Sequence, residues 1–170
     1  MPKIHDDRKA LDAFIRAHSY PAEQGLIVKQ PISHPVHARS DRGNAAAYFQ
    51  FSGLKVLEAH VSELPTAAAA RLHRHSCEAL FYVLKGRGYT VIYKTGGKKR
   101  RIAWKKGDLF TTPIGLWHQH FNASKRMAAR YLEITTIPLM QSLGAWFIES
   151  KSSKDALMSF IKHVQQCRDL

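Results

Sequence analysis

The sequence predicts an all-β fold, a small barrel or sandwich that occupies the middle of the chain. Between residues 47 and 136, short segments rich in aromatic and β-branched residues alternate with Gly, Pro or Asn. The regular alternation of strands with helices that is typical of parallel α/β sheets does not occur. With 170 residues, the chain is long enough for one domain with a sizeable core.

A short amphipathic helix is predicted near the N terminus. In the segment HDDRKALDAFIRAHSY, acidic residues precede Leu11, Phe14 and Ile15, and Pro21 follows the pattern. Residues 26–45 contain prolines, serines and a DRGN turn, and they predict an extended arm.

Nine strands and a helical C terminus are predicted after the arm. The strands are 47–51, 54–61, 71–75, 79–84, 88–93, 100–104, 108–112, 116–121 and 127–136. The segment LMQSLGAWFIES predicts a helix broken by Gly144, and SSKDALMSFIKHVQQCRDL predicts an amphipathic helix capped by Ser153. These elements divide the chain into an N-terminal helix and arm (1–45), a barrel (46–138) and a C-terminal helical extension (139–170).

The charge balance favours anionic ligands. The chain has 26 Lys and Arg against 13 Asp and Glu, a formal charge of +13, which attracts carboxylates, phosphates or acidic partners without choosing among them. Six cations lie in GGKKRRIAWKK, which predicts the tip of a hairpin. Because no nucleic-acid-binding signature accompanies this stretch, we expect a solvated turn and no nucleic-acid partner.

The remaining composition predicts a cytoplasmic protein. The start MPKIHDDRKA lacks the apolar core of a secretory signal, and no apolar stretch is long enough to span a bilayer. The two cysteines, Cys77 and Cys167, are too few for a disulfide framework, so both are expected to be free thiols.

Two histidines stand one residue apart at the start of a β-rich run, in LHRHSCEALFYVLKGRG. Residues i and i+2 of a strand share a face, so His73 and His75 point the same way and can bind one cation together. One such pair is weak evidence, since two strand histidines can equally be partly exposed side chains.

A second pair of histidines lies in PIGLWHQHFN and strengthens the case for a metal site. The spacing of Gly107, Pro113, Gly115, His118 and Asn122 matches the second signature of the cupin superfamily at every position. This motif identifies the chain as similar to the cupins.

The first cupin signature is matched only in part. His73, His75 and Gly86 stand at the expected spacing, but Ala79 occupies the position of the usual glutamate and Ala67 that of an earlier glycine. Over residues 47–136, the resemblance implies one cupin barrel, a jelly-roll or double-stranded β-helix, and the short helices predicted from the apolar patterns lie on either side of it.

The resemblance also implies a metal held by His73, His75 and His118. Glu78 precedes Ala79 and is expected to face away from the lumen, although a bulge would turn it inward. Three neutral imidazoles leave Fe²⁺ with its full charge and with open positions, which favours an anionic chelating substrate. Fe(II) is therefore the expected metal, with Mn, Zn or Ni as alternatives.

The residues of both motifs, HRHSCEAL and WHQHFN, resemble the corresponding stretches of the gentisate and salicylate 1,2-dioxygenases, which are cupins with three histidines around Fe(II). In that group a histidine at the position of His120 lies beside the substrate, which implies a catalytic role here, although a structural bond to the barrel wall is an equal alternative. Phe81 stands where that group has an arginine for the substrate carboxylate, so Phe81, Arg71 and Arg39 are the candidate substrate-binding residues, and the two arginines could supply the cation for the substrate anion.

Three functions are compatible with these motifs. The first is an Fe(II) dioxygenase acting on a small anionic hydroxy-acid or catechol-like substrate. The second is a cupin that binds or senses a small molecule without turnover. The third is an isomerase or decarboxylase that uses its metal as a Lewis acid. The apolar stripe of the C-terminal helix and the exposed edges of such sheets further predict a homodimer.

Overall fold

The computed structural model describes residues 22–151, which form twelve strands and one helix. The strands are β1 (Ala22–Gly25), β2 (His37–Arg39), β3 (Asn44–Phe51), β4 (Glu58–Leu64), β5 (His73–His75), β6 (Ala79–Lys85), β7 (Arg87–Tyr93), β8 (Arg100–Lys105), β9 (Leu109–Thr112), β10 (Trp117–Asn122), β11 (Ala129–Thr135) and β12 (Ile148–Ser150). The helix, α1, spans Ile137–Ser142. The helices predicted near both termini lie outside the described residues, as does Cys167.

The strands form two sheets. The larger has the order β1-β3-β4-β11-β6-β9, with β2 paired to β3 beside β1, and the smaller has the order β12-β5-β10-β7-β8. Apart from the parallel pair of β1 and β3, the strand pairs are antiparallel. Antiparallel strands shared between two facing sheets confirm the all-β, single jelly-roll barrel that the sequence predicts.

Each of the nine predicted strands is present, with ends shifted by a few residues. Three further strands, β1, β2 and β12, have only three or four residues each. They extend the two sheets from the segments predicted to flank the barrel. Such short strands depend on the neighbour they pair with and leave little periodicity in their own sequence. The division of the chain at residues 45 and 138 stays a prediction.

Alternation along β6 shows where the core lies. Ala79, Phe81 and Val83 are buried, whereas Leu80 and Tyr82 face outward and are exposed. This period of two is expected of a strand with one face toward the lumen. The cation-rich hairpin is also as predicted, since β7 and β8 pair directly and their connecting turn is exposed.

The register of the smaller sheet brings the two histidine motifs together. His118 of β10 is the direct antiparallel partner of His73 of β5. Directly opposed residues of paired strands point to the same face, and His75 shares the face of His73. Strand pairing therefore places the three imidazoles on one wall of the barrel.

Among the described residues, no helix is both long and apolar enough to cross a membrane.

Gly88 permits the close contact between β7 and the indole of Trp104. A Cβ added at Gly88 would overlap with the ring of Trp104 and the carbonyl oxygen of Phe121. We expect Gly88→Ala to lower the free energy of unfolding by about 3 kcal/mol in urea denaturation, because this core cannot expand without strain. Ala103→Val, at an exposed position of β8, should change it by less than about 0.5 kcal/mol. Equal effects of the two variants would contradict this packing.

Candidate metal centre

The side chains of His73, His75 and His118 converge on one point. Their ligand nitrogens all lie within 4.8 Å of one another. The ring centroids of His73 and His118 are 4.2 Å apart, and those of His75 and His118 are 4.7 Å apart. His75 and His118 are buried, and His73 is partly exposed. The structure thus brings together the three predicted ligands.

Backbone carbonyls fix the orientation of the three rings. The Nδ1 of His73 donates to the carbonyl of Arg71 at 2.8 Å, and the Nδ1 of His118 donates to that of Leu116 at 2.9 Å. The Nδ1 of His75 is 3.0 Å from the carbonyl of Cys77. Because a carbonyl only accepts, each Nδ1 carries the proton and each Nε2 keeps a lone pair for a metal.

The protonation state of the rings also suits a metal. Burial lowers the pKa of His73, His75 and His118, and most strongly those of His73 and His118, so all three are neutral near pH 7. The Nε2 of His118 is buried and has no hydrogen-bond partner in the described part of the chain. An unpaired acceptor at this depth is costly, and a cation at the convergence point would satisfy it.

No carboxylate joins the three histidines within residues 22–151. Ala79, at the position where the cupin signature has glutamate, is buried, whereas the preceding Glu78 is exposed. Glu78 is therefore not part of the group that the described histidines form. The donor set is therefore three imidazoles, and it leaves the charge of a divalent metal uncompensated.

His120 lies next to this group and is held by a separate chain of hydrogen bonds. Trp104 donates its indole N–H to the hydroxyl of Thr90 at 3.0 Å, and that hydroxyl is 2.8 Å from the Nδ1 of His120. The Thr90 hydroxyl has one proton and two lone pairs, so it holds Nδ1 of His120 in either tautomer of the ring. Burial lowers the pKa of His120 to about 4, so the ring is neutral.

A cavity of about 220 Å³ opens beside the histidines and carries two arginines. Arg39 and Arg42 both line it, and the guanidinium of Arg39 lies 5.6 Å from the ring centroid of Tyr48. Burial, with Arg39 nearby, lowers the pKa of Arg42 from its usual value. Arg39 is buried, whereas Arg42 is partly buried and lies 3.4 Å from the carboxylate of Asp41. Arg39 thus lies at the cavity, and its role in substrate binding stays a prediction.

Arg71 and Phe81 lie elsewhere. The guanidinium of Arg71 donates to the carbonyl of Ser40 at 3.2 Å, and the residue is not among those that line the cavity. Phe81 is buried in the apolar core, where its ring centroid is 5.0 Å from that of His120. Phe81 therefore supports the ring of His120 from behind and does not reach the cavity.

A buried charge network forms another part of the cavity wall. The Nδ1 of His60 is 3.1 Å from the carboxylate of Glu58, and its Nε2 is 3.1 Å from that of Glu133. Thr135 donates its hydroxyl to Glu58 at 2.6 Å. These contacts follow from the register, since His60 is opposite Glu133 and Glu58 is opposite Thr135 on β4 and β11.

The network holds its charges in the interior. Burial alone would lower the pKa of His60, but the carboxylates of Glu58 and Glu133 raise it to about 9. Burial would raise the pKa of Glu133, but His60 outweighs it and holds that pKa well below its usual value. The side chain of Glu133 is 16% exposed, and it therefore presents an ionised carboxylate to the cavity.

Several cavity residues were not anticipated from the sequence. Arg42 was assigned to a DRGN turn, and Glu133 and His60 to ordinary strands. One signal was available for Glu133, because it shares strand parity with the buried Tyr131 and is therefore an acid on a lumen face. Trp146 lies in the segment LMQSLGAWFIES, for which a helix broken by Gly144 is predicted. The helix ends at Ser142, and the part after Gly144 is a loop and a strand, so that part of the prediction is wrong. Cys77 also lines the cavity, and burial raises the pKa of its thiol.

A comparison with protein families is consistent with this geometry. Residues 60–135 match the family described as cupin domain. Residues 60–135 are thus similar to a cupin domain. Its matched region includes the three histidines, His60 and Glu133, and it ends before α1.

Two curated relatives match parts of this chain. The 5-aminosalicylate 1,2-dioxygenase of Comamonas sp. is 32% identical over 74 residues, which are 44% of this chain and 18% of that protein. Auxin-binding protein 4 of Zea mays is 28% identical over 90 residues, 51% of this chain and 44% of the relative. The chain thus spans less than half of either protein.

Solved structures share the fold at low identity. Salicylate 1,2-dioxygenase from Pseudoaminobacter salicylatoxidans with gentisate has a TM-score of 0.54 at 16% identity, covering 86% of this chain and 35% of that one. The oxalate decarboxylase of Lactobacillus farciminis in its formate complex has a TM-score of 0.55 at 17% identity. The match covers 74% of this chain and 35% of the decarboxylase chain. At this identity the likeness establishes the cupin fold. Together with the curated relatives, it confirms the resemblance to the gentisate and salicylate dioxygenases.

The buried network predicts a specific pH dependence of stability. The pKa of His60 is about 9 in the folded protein, against about 6.5 when unfolded. The stability that its charge contributes is therefore present below about pH 6.5 and is lost as the pH rises through 9. We expect the cost of His60→Gln in urea unfolding to be about 3 kcal/mol larger at pH 6 than at pH 9.5.

The control for this experiment is His37→Gln, at an exposed position of β2. It should show little cost at either pH. A cost of His60→Gln that does not change with pH would mean that His60 is uncharged in the folded protein.

Proposed function

We propose that this chain is a metal-dependent dioxygenase, with Fe(II) as its metal, that acts on a small anionic hydroxy-acid or catechol-like compound of aromatic character. The observation that carries the proposal is the set of three buried imidazoles, each with Nδ1 bonded to a carbonyl and Nε2 directed at one point. The resemblance to the 5-aminosalicylate and salicylate dioxygenases supports the same reading.

The residues fit the proposed metal. His73, His75 and His118 would hold it through Nε2, and the unpartnered Nε2 of buried His118 is the sign that a cation belongs there. Bound Fe(II) would supply the open positions at which a chelating anion and dioxygen meet. Because the described group has no acidic ligand, the anionic substrate would neutralise the positive charge of the metal.

The cations of the cavity suit a carboxylate. Arg39 and Arg42 would bind the anionic group of the substrate, and the partly buried guanidinium of Arg42 has several N–H donors, of which one faces Asp41. Arg71 and Phe81 stay as predictions for substrate binding, although a movement of Arg71 away from Ser40 would be needed.

His120 is the proposed catalytic residue. In the proposed tautomer the Thr90 hydroxyl donates to Nδ1, and the neutral ring would carry its proton on Nε2. A neutral imidazole in the cavity wall can donate this proton to an oxygen of the ligand and can exchange it during turnover. The buried position also excludes water from this transfer.

A binding role without turnover is the second candidate. It is favoured by the similarity to auxin-binding protein 4, of which the chain matches a larger share than of the dioxygenase relative. Turnover without oxygen would instead identify an isomerase or decarboxylase. Cytoplasmic location and a homodimer stay as further proposals, drawn from the sequence.

The metal site is tested by metal analysis of protein purified without oxygen. We expect one equivalent of Fe(II) after reconstitution of the wild type and less than about a tenth of an equivalent in His118→Ala, because two imidazoles alone bind weakly. His37→Ala, at an exposed histidine outside the site, should retain the metal. Retention of iron by His118→Ala would contradict the proposed ligand set.

The reaction is tested by oxygen uptake of the iron-loaded protein with gentisate, salicylate and catechols. Arg42→Gln should raise KM at least tenfold for a carboxylate substrate, since a charge-assisted hydrogen bond contributes about 1.5–3 kcal/mol. Arg101→Gln, on the exposed hairpin, alters the net charge equally and should leave KM unchanged. Tight ligand binding without oxygen consumption would support the binding role and contradict the dioxygenase.

A further inference from the structure

One side of the cavity is built by residues 137–150, here called the wall segment. It contains α1, a turn and β12, and it follows the region that matches the cupin family. Gly144 ends the helix at φ 64°, a conformation that favours glycine, and Ala145 then donates its N–H to Met140 at 2.8 Å. The turn sends the chain back toward the histidines.

Hydrogen bonds attach the returning chain to the strand that carries the ligands. β12 pairs with β5 so that Ile148 is opposite His75. Phe147 donates its N–H to the Ser76 hydroxyl at 2.9 Å, and the Ser76 N–H is 3.2 Å from the Phe147 carbonyl. Glu149 accepts hydrogen bonds from Arg74 at 2.6 and 2.7 Å. These contacts fix the backbone on the C-terminal side of Trp146.

The wall segment contributes an apolar surface with one aromatic ring. Ile137, Trp146 and Ile148 line the cavity, together with the amide of Gln141. A cavity of about 150 Å³ already accommodates benzene, so the 220 Å³ here has room for one substituted ring. An indole face gains by stacking on a planar ring, and an aliphatic acid offers no such face.

We infer that Trp146 is a specificity-determining residue, which selects planar aromatic acids over aliphatic acids that carry the same chelating groups. The inference rests on the proposed function, because the ligand must bind at the three histidines. It adds that the choice of substrate is made by a segment outside the matched cupin domain. The histidines and arginines recognise the oxygens of the ligand, and Trp146 recognises its ring.

The test compares two ligands with the same spacing of hydroxyl and carboxylate. Salicylate is the aromatic member and 3-hydroxypropionate the aliphatic one, and their dissociation constants are measured by calorimetry on metal-loaded protein without oxygen. Trp146→Ala should weaken salicylate at least tenfold and change 3-hydroxypropionate by less than twofold. Trp146→Phe should keep salicylate within about threefold, because it retains a planar ring.

Phe147→Ala is the matched control, since this neighbouring aromatic residue is 47% exposed and does not line the cavity. It should change neither constant, and the metal content of all variants should equal that of the wild type. Equal salicylate affinity of the wild type and Trp146→Ala, or an equal loss for both ligands, would overturn the inference and leave the proposed function standing. Absence of salicylate binding to the wild type would overturn the proposed function and the inference with it.

Discussion

The site depends on three hydrogen bonds from imidazole to backbone. The Nδ1 atoms of His73, His75 and His118 are each bonded to a carbonyl oxygen, so each Nε2 is left as an acceptor facing its neighbours. The pairing of β5 with β10 places two of the rings directly opposite each other. Tautomer and position are therefore set by the backbone before any metal is present, which reduces the reorganisation that metal binding requires.

The rest of the cavity wall contains charged side chains that are largely shielded from water. His60, protonated between Glu58 and Glu133, neutralises part of the negative charge that two buried carboxylates would otherwise carry. Arg39 and Arg42 then stand as cations in the same cavity. A buried ion network of this kind contributes little net stability relative to apolar packing. It does supply charges and dipoles at fixed positions, which can stabilise a bound ligand.

The all-β fold class could be predicted from local periodicity, whereas the cupin barrel and the set of three metal ligands were implied by the resemblance of the two motifs. The spacing of His73 and His75 fixes their common face, and the second motif adds His118. Strand parity offered a signal for Glu133 on the lumen face, but its contact with His60 follows from the pairing of β4 with β11. Trp146 reaches the cavity through a returning loop, and both the strand pairing and the loop are long-range features that local sequence does not encode.

The central claim is that the three Nε2 atoms share one metal ion. The most direct measurement is anomalous diffraction at the iron edge from crystals of protein loaded with Fe(II) under anaerobic conditions. The account predicts one strong peak, about 2 Å from the Nε2 atoms of His73, His75 and His118 and from no carboxylate. A peak bound through Nδ1, a peak that includes Glu78 or Glu133, or no peak between the rings would contradict it.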